Sequence, residues 1–362
     1  MRVFIRRVLG VAVVATVVGA ASAAAQAAPP PPAPTAPQVT VSGVGYAQFL
    51  YQLKDSVGPA PGNVSYGNQS QFSVQRAYIN AIGKFSGGIQ TRITVDIAPS
   101  GTPATNQVVR LKYAYAAWTP GKSVLTYKLG LIHTPWIDWE ETLWDYRMQG
   151  AIAVDRNGYM TSADFGAGID GKGKDDVVNG QFTVVNGEGY SGGTGDKRKD
   201  VQGRLSVRLL KTDDNSRVGG LRVSGYFGVG KVTGGGDRNR YLGMVSYKSK
   251  MVTLAAEYVS TKDTVSPVTG GGSNATGQVI SVFGTLKLPK SGVGLIARVD
   301  IVDPNTDTPT NKQTRYIGGI SYQVSPNLRV LADVDHLDYE ATPTLTQDAQ
   351  RSRALFQIEL KY

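Results

Sequence analysis

The chain contains no cysteine and only two histidines, His133 and His336, among its 362 residues. Without thiols, disulfide staples, thiolate metal sites and cysteine nucleophiles are all excluded. Two imidazoles leave little for a histidine-based zinc centre. Apolar residues are 41% of the chain, so there is no reserve of polytopic transmembrane helices. From Val39 onward no convincing apolar run keeps the helical spacing of about 3.6 over ten or more positions. Glycine, by contrast, is abundant: 44 residues, well above the ~7% average. Each glycine inside a helix costs ~1 kcal/mol relative to alanine, which argues against a mostly helical protein. The formal charge of +10 points to anionic solutes, lipid or nucleic acid as partners and says nothing about fold.

The first residues read as a targeting segment. Arg2, Arg6 and Arg7 precede an apolar stretch from Val8 to Ala20, and small residues then run from Ala21 to Ala27. This is the pattern of a secretory signal peptide over residues 1–27, cleaved after Ala25 or Ala27. Its loss removes three arginines and no acid, lowering the net charge from +10 to +7. Residues 28–38 are proline-rich and uncharged, as in an extended spacer with no packed core.

Beyond the spacer the recurring pattern is period-2 alternation, the mark of strands with two different faces. Ala354, Phe356, Ile358, Leu360 and Tyr362 alternate with Arg353, Leu355, Gln357, Glu359 and Lys361. Val293, Leu295, Ala297, Val299 and Ile301 interleave with Gly294, Ile296, Arg298, Asp300 and Val302. Val109, Leu111, Tyr113, Tyr115 and Ala117 do so with Arg110, Lys112, Ala114 and Ala116. Alternation predicts strands at 39–53, 70–83, 88–98, 107–119, 123–134, 162–171, 176–186 and 199–211. It continues with 218–230, 239–249, 251–261, 276–288, 293–303, 313–324, 328–340 and 351–362, sixteen in all. Short turns alternate with long polar connections at 54–69, 99–106, 135–161, 187–198, 231–238, 262–275, 304–312 and 341–350. Short turns on one rim and long loops on the other describe an up-and-down antiparallel barrel, with both termini on the short-turn rim.

Strands of ten or more residues exceed the ~5–6 usual in soluble sheets and match the ~9–11 that cross a bilayer at a tilt. Aromatic residues gather near strand ends (Tyr46, Phe49, Tyr51, Tyr113, Tyr115, Trp118, Tyr247, Tyr258, Tyr322 and Tyr362), as interfacial girdles require. The face opposite the apolar one carries Gly, Ser, Arg and Asp with few long apolar side chains. Lipid cannot satisfy an open sheet edge, so such a sheet must close on itself. The expected fold is all-β: a transmembrane antiparallel β-barrel over residues 39–362.

Two stretches resemble known outer-membrane proteins. Phe356, Ile358, Leu360 and Tyr362 resemble the C-terminal signal read by barrel-insertion machinery. Residues 75–171 are similar to the phosphate-selective porin (O/P-type) family of Gram-negative outer membranes. The likeness is carried by Arg76-Ala77-Tyr78, Phe85-Ser86-Gly87-Gly88, Thr94-Val95-Asp96-Ile97-Ala98 and Leu111-Lys112-Tyr113-Ala114-Tyr115. It continues in Leu129-Gly130-Leu131, His133-Thr134-Pro135-Trp136, Asp155-Arg156 and Asp164-Phe165-Gly166. The resemblance implies a sixteen-stranded porin, usually a homotrimer, whose loop after the fifth strand folds into the pore as a constriction. The longest connection found by alternation, 135–161, follows the fifth strand.

The non-apolar phase assigns a basic set to the lumen: Arg76, Arg92, Arg110, Lys112, Lys128, Arg204, Arg208, Arg222, Arg240, Arg298, Arg315 and Arg329. Acids on that phase are fewer: Asp96, Asp164, Asp170, Glu257, Asp300 and Asp333. Guanidinium groups hold phosphate and carboxylate oxygens bidentately, and rings of Arg and Lys suit anion pores. The constriction loop argues the other way. Its Asp138, Glu140, Glu141, Asp145 and Asp155 oppose only Arg147 and Arg156, a net charge of −3. Phosphate-specific members of the family carry basic constriction residues, so this chain departs from their pattern. Acids facing strand arginines across the eyelet would set up a transverse field with mild ion selectivity. Trp136, Trp139, Trp144 and Tyr146 are expected to pack the loop on the wall.

Other motifs carry less. Gly189-Tyr190-Ser191-Gly192-Gly193 fits GxSxG without a strand-to-helix elbow. Gly166, Gly168 and Gly171 fit a dinucleotide fingerprint with no helix to follow. Asp333, Asp335, His336 and Asp338 suggest a hydrolase, yet His336 lies on the opposite phase from Asp333 and Asp335. Asp303, Asn305 and Asp307 are too few oxygens for Ca²⁺ without waters and carbonyls. The expected function is a water-filled outer-membrane channel for passive diffusion of small hydrophilic solutes, preferring anions, with no enzyme activity, cofactor or metal. The alternatives are a solute-specific channel for phosphate, polyphosphate or sugars, an outer-membrane hydrolase, or an envelope tether acting through the spacer. Expected partners are outer-membrane lipid, insertion machinery, solutes and further copies of the chain. Nucleic acid is not among them, because the basic residues alternate around a lumen.

Overall fold

The computed structural model describes residues 37–55, 70–100, 106–192, 197–231, 236–264, 274–340 and 349–362. The expected signal peptide, the spacer up to residue 36, the last glycine of the GxSxG motif and much of the long connections lie outside the described residues. Sixteen strands follow in order: β1 (Gln38–Asp55), β2 (Ser70–Lys84), β3 (Ile89–Ser100), β4 (Asn106–Trp118), β5 (Leu125–His133), β6 (Ala163–Lys172), β7 (Val178–Val185) and β8 (Asp200–Leu210). The rest are β9 (Gly220–Lys231), β10 (Asp237–Lys248), β11 (Val252–Thr264), β12 (Asn274–Lys287), β13 (Val293–Asp303), β14 (Gln313–Ser325), β15 (Leu328–Tyr339) and β16 (Ala349–Lys361). Every strand pairs with its sequence neighbours, and β16 returns to β1, giving a closed barrel. Gln38 already belongs to β1, so the barrel starts one residue before the expected boundary.

Closure is made at the C-terminus. Gly43 N donates to the Tyr362 carbonyl at 2.7 Å, and Tyr362 N to the Gly43 carbonyl at 3.1 Å. The Tyr362 ring lies over Gly43, within 2.2 Å of where a Cβ would stand, so a larger residue there would displace the ring. Along β9 and β10 burial alternates residue by residue, which separates an inner from an outer face. The outer face is apolar and bare, with Val109, Leu129, Leu205, Leu254 and Ile320 each more than half exposed. Water would penalise that surface by about 25 cal/mol per Å², whereas bilayer hydrocarbon does not. Phe356, Leu360 and Tyr362 of the terminal pattern are on this outer face.

Three of the expected girdle aromatics, Tyr46, Tyr113 and Tyr115, point inward instead. Tyr46 lies an odd number of positions from Phe49 and Tyr51, so it takes the other face and is buried. In β4 a bulge intervenes: Leu111 pairs with Val95 and Tyr113 with Thr94, leaving Lys112 as the extra residue. One extra residue inverts every later side chain. Val109 and Leu111 are therefore exposed, while Tyr113 and Ala117 are buried.

The buried apolar cluster sits inside the barrel. Between β5 and β6 the chain forms two short helices, α1 (Ile137–Leu143) and α2 (Ala153–Arg156), within the wall. Trp136, Ile137, Leu143, Trp144, Tyr146, Ile152 and Val154 pack on Tyr226, Met244, Val259, Phe283, Ile296, Ile317 and Leu331. The expectation of few long apolar side chains on the inner face fails here. Part of that face is the bed on which the loop rests.

Candidate functional site

The loop leaves β5 at Thr134, whose N–H bonds the Ser162 carbonyl at 3.1 Å and ties its two ends together. Gly130, just before, has φ +126°, and a Cβ there would lie 2.4 Å from the Ala114 carbonyl oxygen of β4. Only glycine lets β5 run this close to its neighbour.

Inside the barrel the loop is held by side chains at both polar and apolar contacts. Asp138 meets Arg217, from the turn after β8, at 2.5 Å. Burial alone would raise the Asp138 carboxyl, but Arg217 outweighs it and holds the group well below the ordinary carboxylate range. Asp145 takes Lys287 at 3.0 Å and Arg329 at 3.2 Å. Lys248 donates to the Thr142 carbonyl at 2.6 Å, and Tyr146 Oη pairs with Ser321 Oγ at 2.9 Å. Arg204 donates to the Pro135 carbonyl at 3.0 Å with its guanidinium 4.0 Å from the Trp139 ring centroid. Arg298 bonds Asp300 at 2.7 Å, with its guanidinium 5.1 Å from the Trp144 ring centroid. Arg240 donates to the Tyr159 carbonyl at 2.9 Å. The four expected packing aromatics, Trp136, Trp139, Trp144 and Tyr146, are all buried.

Other loop charges pair within the loop or, for Arg156, reach Asp300 of β13. Arg147 holds Glu141 at 2.7 Å and Asp155 at 3.6 Å. Arg156 lies 3.9 Å from Asp300 and donates to Gln149 at 3.0 Å. Glu140 accepts from Trp136 Nε1 at 2.9 Å. Burial pushes its carboxyl up to about 7.

The twelve basic residues expected in the lumen thus divide. Arg204, Arg240, Arg298 and Arg329 lie in contact with the loop, each less than a tenth exposed. Arg222 is buried at the short-turn rim, donating to the Gly219 and Asp176 carbonyls, and Arg208 also bonds a turn carbonyl, that of Asp175. Arg315 pairs with Asp335 at 2.7 Å. Arg76, Arg92, Arg110, Lys112 and Lys128 stand on β2–β5. There Arg76 and Arg110 share Asp96, at 2.7 and 3.6 Å, and Lys128 pairs with Asp170. Lys112 donates to Tyr78 Oη at 3.3 Å, and Arg92 reaches Asn80 at 2.9 Å and His133 at 3.0 Å. Between β1–β2 and the loop is a gap of about 290 Å³, lined by Tyr46, Gln48 and Arg76 on one side and Arg147 and Asp155 on the other.

No protein-family model matches the sequence, and comparison with curated proteins gives no match. Solved structures do match. The anion-selective porin from Comamonas acidovorans aligns at TM-score 0.64 and 12% identity, over 90% of this chain and 100% of its own. The chain has the porin fold. Salmonella typhi OmpF, solved with daunomycin, aligns at 0.62 and 14% identity over 90% of this chain and 97% of its own. The outer membrane channel DcaP of Acinetobacter baumannii aligns at 0.60 and 11%, over 90% and 97%.

Within this porin fold some contacts carried no signal in the sequence. Arg217 and Lys248 anchor the loop from a turn and a strand end, where alternation is silent. Tyr190, from the connection after β7, bonds Arg76 at 2.7 Å and Asp96 at 3.1 Å. The hydrolase reading meets an unexpected trio: His336 lies 2.6 Å from Ser352 Oγ and 3.0 Å from Asp338. Ser352 is a ladder residue, paired with His336 on one side and Lys54 on the other.

Proposed function

We propose that the protein is an outer-membrane porin, exported by the 1–27 signal peptide and assembled as a homotrimer, that passes small hydrophilic solutes by diffusion with a preference for anions. The observation that carries the reading is the disposition of charge around the gap. Of the five cations on β2–β5, Arg76 lines the gap, and the set pairs with Asp96 of β3 and Asp170 of β6, opposite a loop surface where Arg147 neutralises part of Glu141 and Asp155. An anion moving along that wall meets a net positive field, focused by the low-dielectric barrel. The loop carboxylates face the same gap, so the preference is moderate and a doubly charged phosphate is not singled out. The seven other expected lumen cations are committed to the loop, to turns or to acids and contribute little to selection. No covalent chemistry is required; the protein lowers a barrier by supplying a wet, charged path. The fold shared with an anion-selective porin is in keeping with this.

Single-channel recording in a KCl gradient tests the reading. The expected reversal potential has the sign of chloride permeation, and a cation-selective potential overturns it. Phosphate added to chloride is expected to compete weakly; a strong block at low concentration would favour the phosphate-specific alternative.

A further inference from the structure

We infer that Tyr190 is a selectivity-determining residue of the channel: a second inward fold of the chain, residues 186–192 after β7, sets it as a cap on Arg76 and Arg110 and so limits the anion preference of the pore. The inference rests on the porin reading and names a residue that tunes it. The inward fold is fixed by backbone bonds. Asn186 N donates to the Phe165 carbonyl at 2.8 Å. Gly187 and Gly189 then take φ of +105° and +74°, which turns the chain where a side chain would be strained. Both of their N–H groups go to one carboxylate, the lumen-phase Asp164 of β6, at 2.8 and 3.2 Å. The Gly187 carbonyl accepts from Arg238 of β10. Both glycines are buried, so this part of a long connection is packed against the barrel rather than standing clear of the rim.

Tyr190 follows at once. Its ring packs on the buried cluster of Tyr113, Leu131 and Ala163, which carries it back across β6, β5 and β4. Its Oη accepts from Arg76 Nη2 at 2.7 Å and donates to Asp96 Oδ2 at 3.1 Å. The Arg110 guanidinium lies 5.6 Å from its ring centroid, within reach of a cation–π contact. Asp96 binds Arg76 at 2.7 Å and Arg110 at 3.6 Å and is itself fully buried. The cap therefore covers two cations and one carboxylate, an excess of one positive charge. Under it the Arg76 side chain is 22% exposed and that of Arg110 33%, although Arg76 also lines the gap beside the constriction loop. A guanidinium N–H spent on Tyr190 is a charge-assisted donor that a passing anion cannot use. Lifting the cap bares the cations first, because Asp96 lies beneath them.

The test uses the full mature chain in planar bilayers under a KCl gradient. Tyr190→Phe keeps the ring and removes the hydroxyl, Tyr190→Ala removes the whole cap, and both changes lie outside the strands. Each is expected to move the reversal potential further toward chloride, alanine more than phenylalanine. Tyr190→Phe is also expected to raise the frequency of open excursions about tenfold, the loss of a hydrogen bond to charged groups. A tyrosine that only packs the connection would alter the current noise and leave the reversal potential where it was; that result overturns the inference. Because the chain has no cysteine, Tyr190→Cys supplies a single thiol for a second measurement with methanethiosulfonate reagents. A trimethylammonium reagent is expected to raise the anion preference and a sulfonate reagent to lower it. Insensitivity to both puts the position outside the ion path and overturns the inference as well. Anion-selective parent channels with unmoved variants defeat only the cap. Cation-selective parent channels whose variants still move toward chloride defeat the anion reading and leave the cap standing.

Discussion

Glu140 illustrates how one side chain couples the loop to pH. It is fully buried in α1 beside Glu257, and its carboxyl is raised from 4.5 to about 7, chiefly by burial. Between those values the seated loop keeps a proton that a released loop gives up. Raising the pH through that window therefore weakens the seat. Asp138 works in the other direction: its carboxylate is held ionised by Arg217, so its contribution is present above the ordinary carboxylate range and fades in acid. Channels recorded at about pH 8 are expected to be noisier and more conductive than at about pH 5, with Glu140→Gln removing the difference. Equal noise at both values in the parent would refute the coupling. A backbone prediction concerns Gly130. Its left-handed φ and the nearby Ala114 carbonyl make Gly130→Ala cost about 1–3 kcal/mol, measurable as a lower urea midpoint of the refolded barrel. The sequence made such roles only half legible. Lys112 was expected inside and is inside, while Tyr113, its neighbour, was expected outside. A bulge is a relation between two strands, and alternation within one strand does not register it.

Among the elements, the strands were the most readable, their predicted ends falling within three residues of those observed, the largest gap being 261 against Thr264. Period-2 alternation is a property of a single strand on a two-faced wall, so each could be read alone. The connection between β5 and β6 was legible as a long acidic segment, and its helices were not expected. They form because the loop lies on an apolar bed contributed by several distant strands. Trp144 packs edge-on to Phe283 at 5.4 Å between ring centroids. Trp144→Ala is expected to cost the loop about 3–5 kcal/mol of anchoring. It would appear as increased conductance fluctuations with the barrel still heat-stable. Deleting 138–156 removes the obstruction outright and is expected to enlarge the single-channel conductance. An unchanged value would mean that the passage is narrowed elsewhere.

For the whole molecule, the consequence is a field rather than a contact. If the wall of β2–β5 sets the preference for anions, replacing Arg76, Arg110 and Lys112 by alanine shifts the reversal potential toward the cation side. The preference of the parent channel is also expected to shrink with salt, because the screening length falls from ~30 Å at 0.01 M to ~3 Å at 1 M. A selectivity unchanged over that range would point to a steric filter instead.

The sequence by itself determined that the chain makes a closed antiparallel barrel of sixteen strands with an apolar exterior. Alternation, strand length and the lack of helical periodicity are local properties, and lipid leaves a sheet no option but closure. Only the tertiary structure decided which arginines face the open gap and which hold the loop. That division depends on where the loop rests, and its resting place is set by the packing of Trp136, Trp144 and their neighbours on side chains from strands distant in the chain. Charge could be counted in the sequence, but whether a charge meets solvent or a carbonyl oxygen is decided by packing.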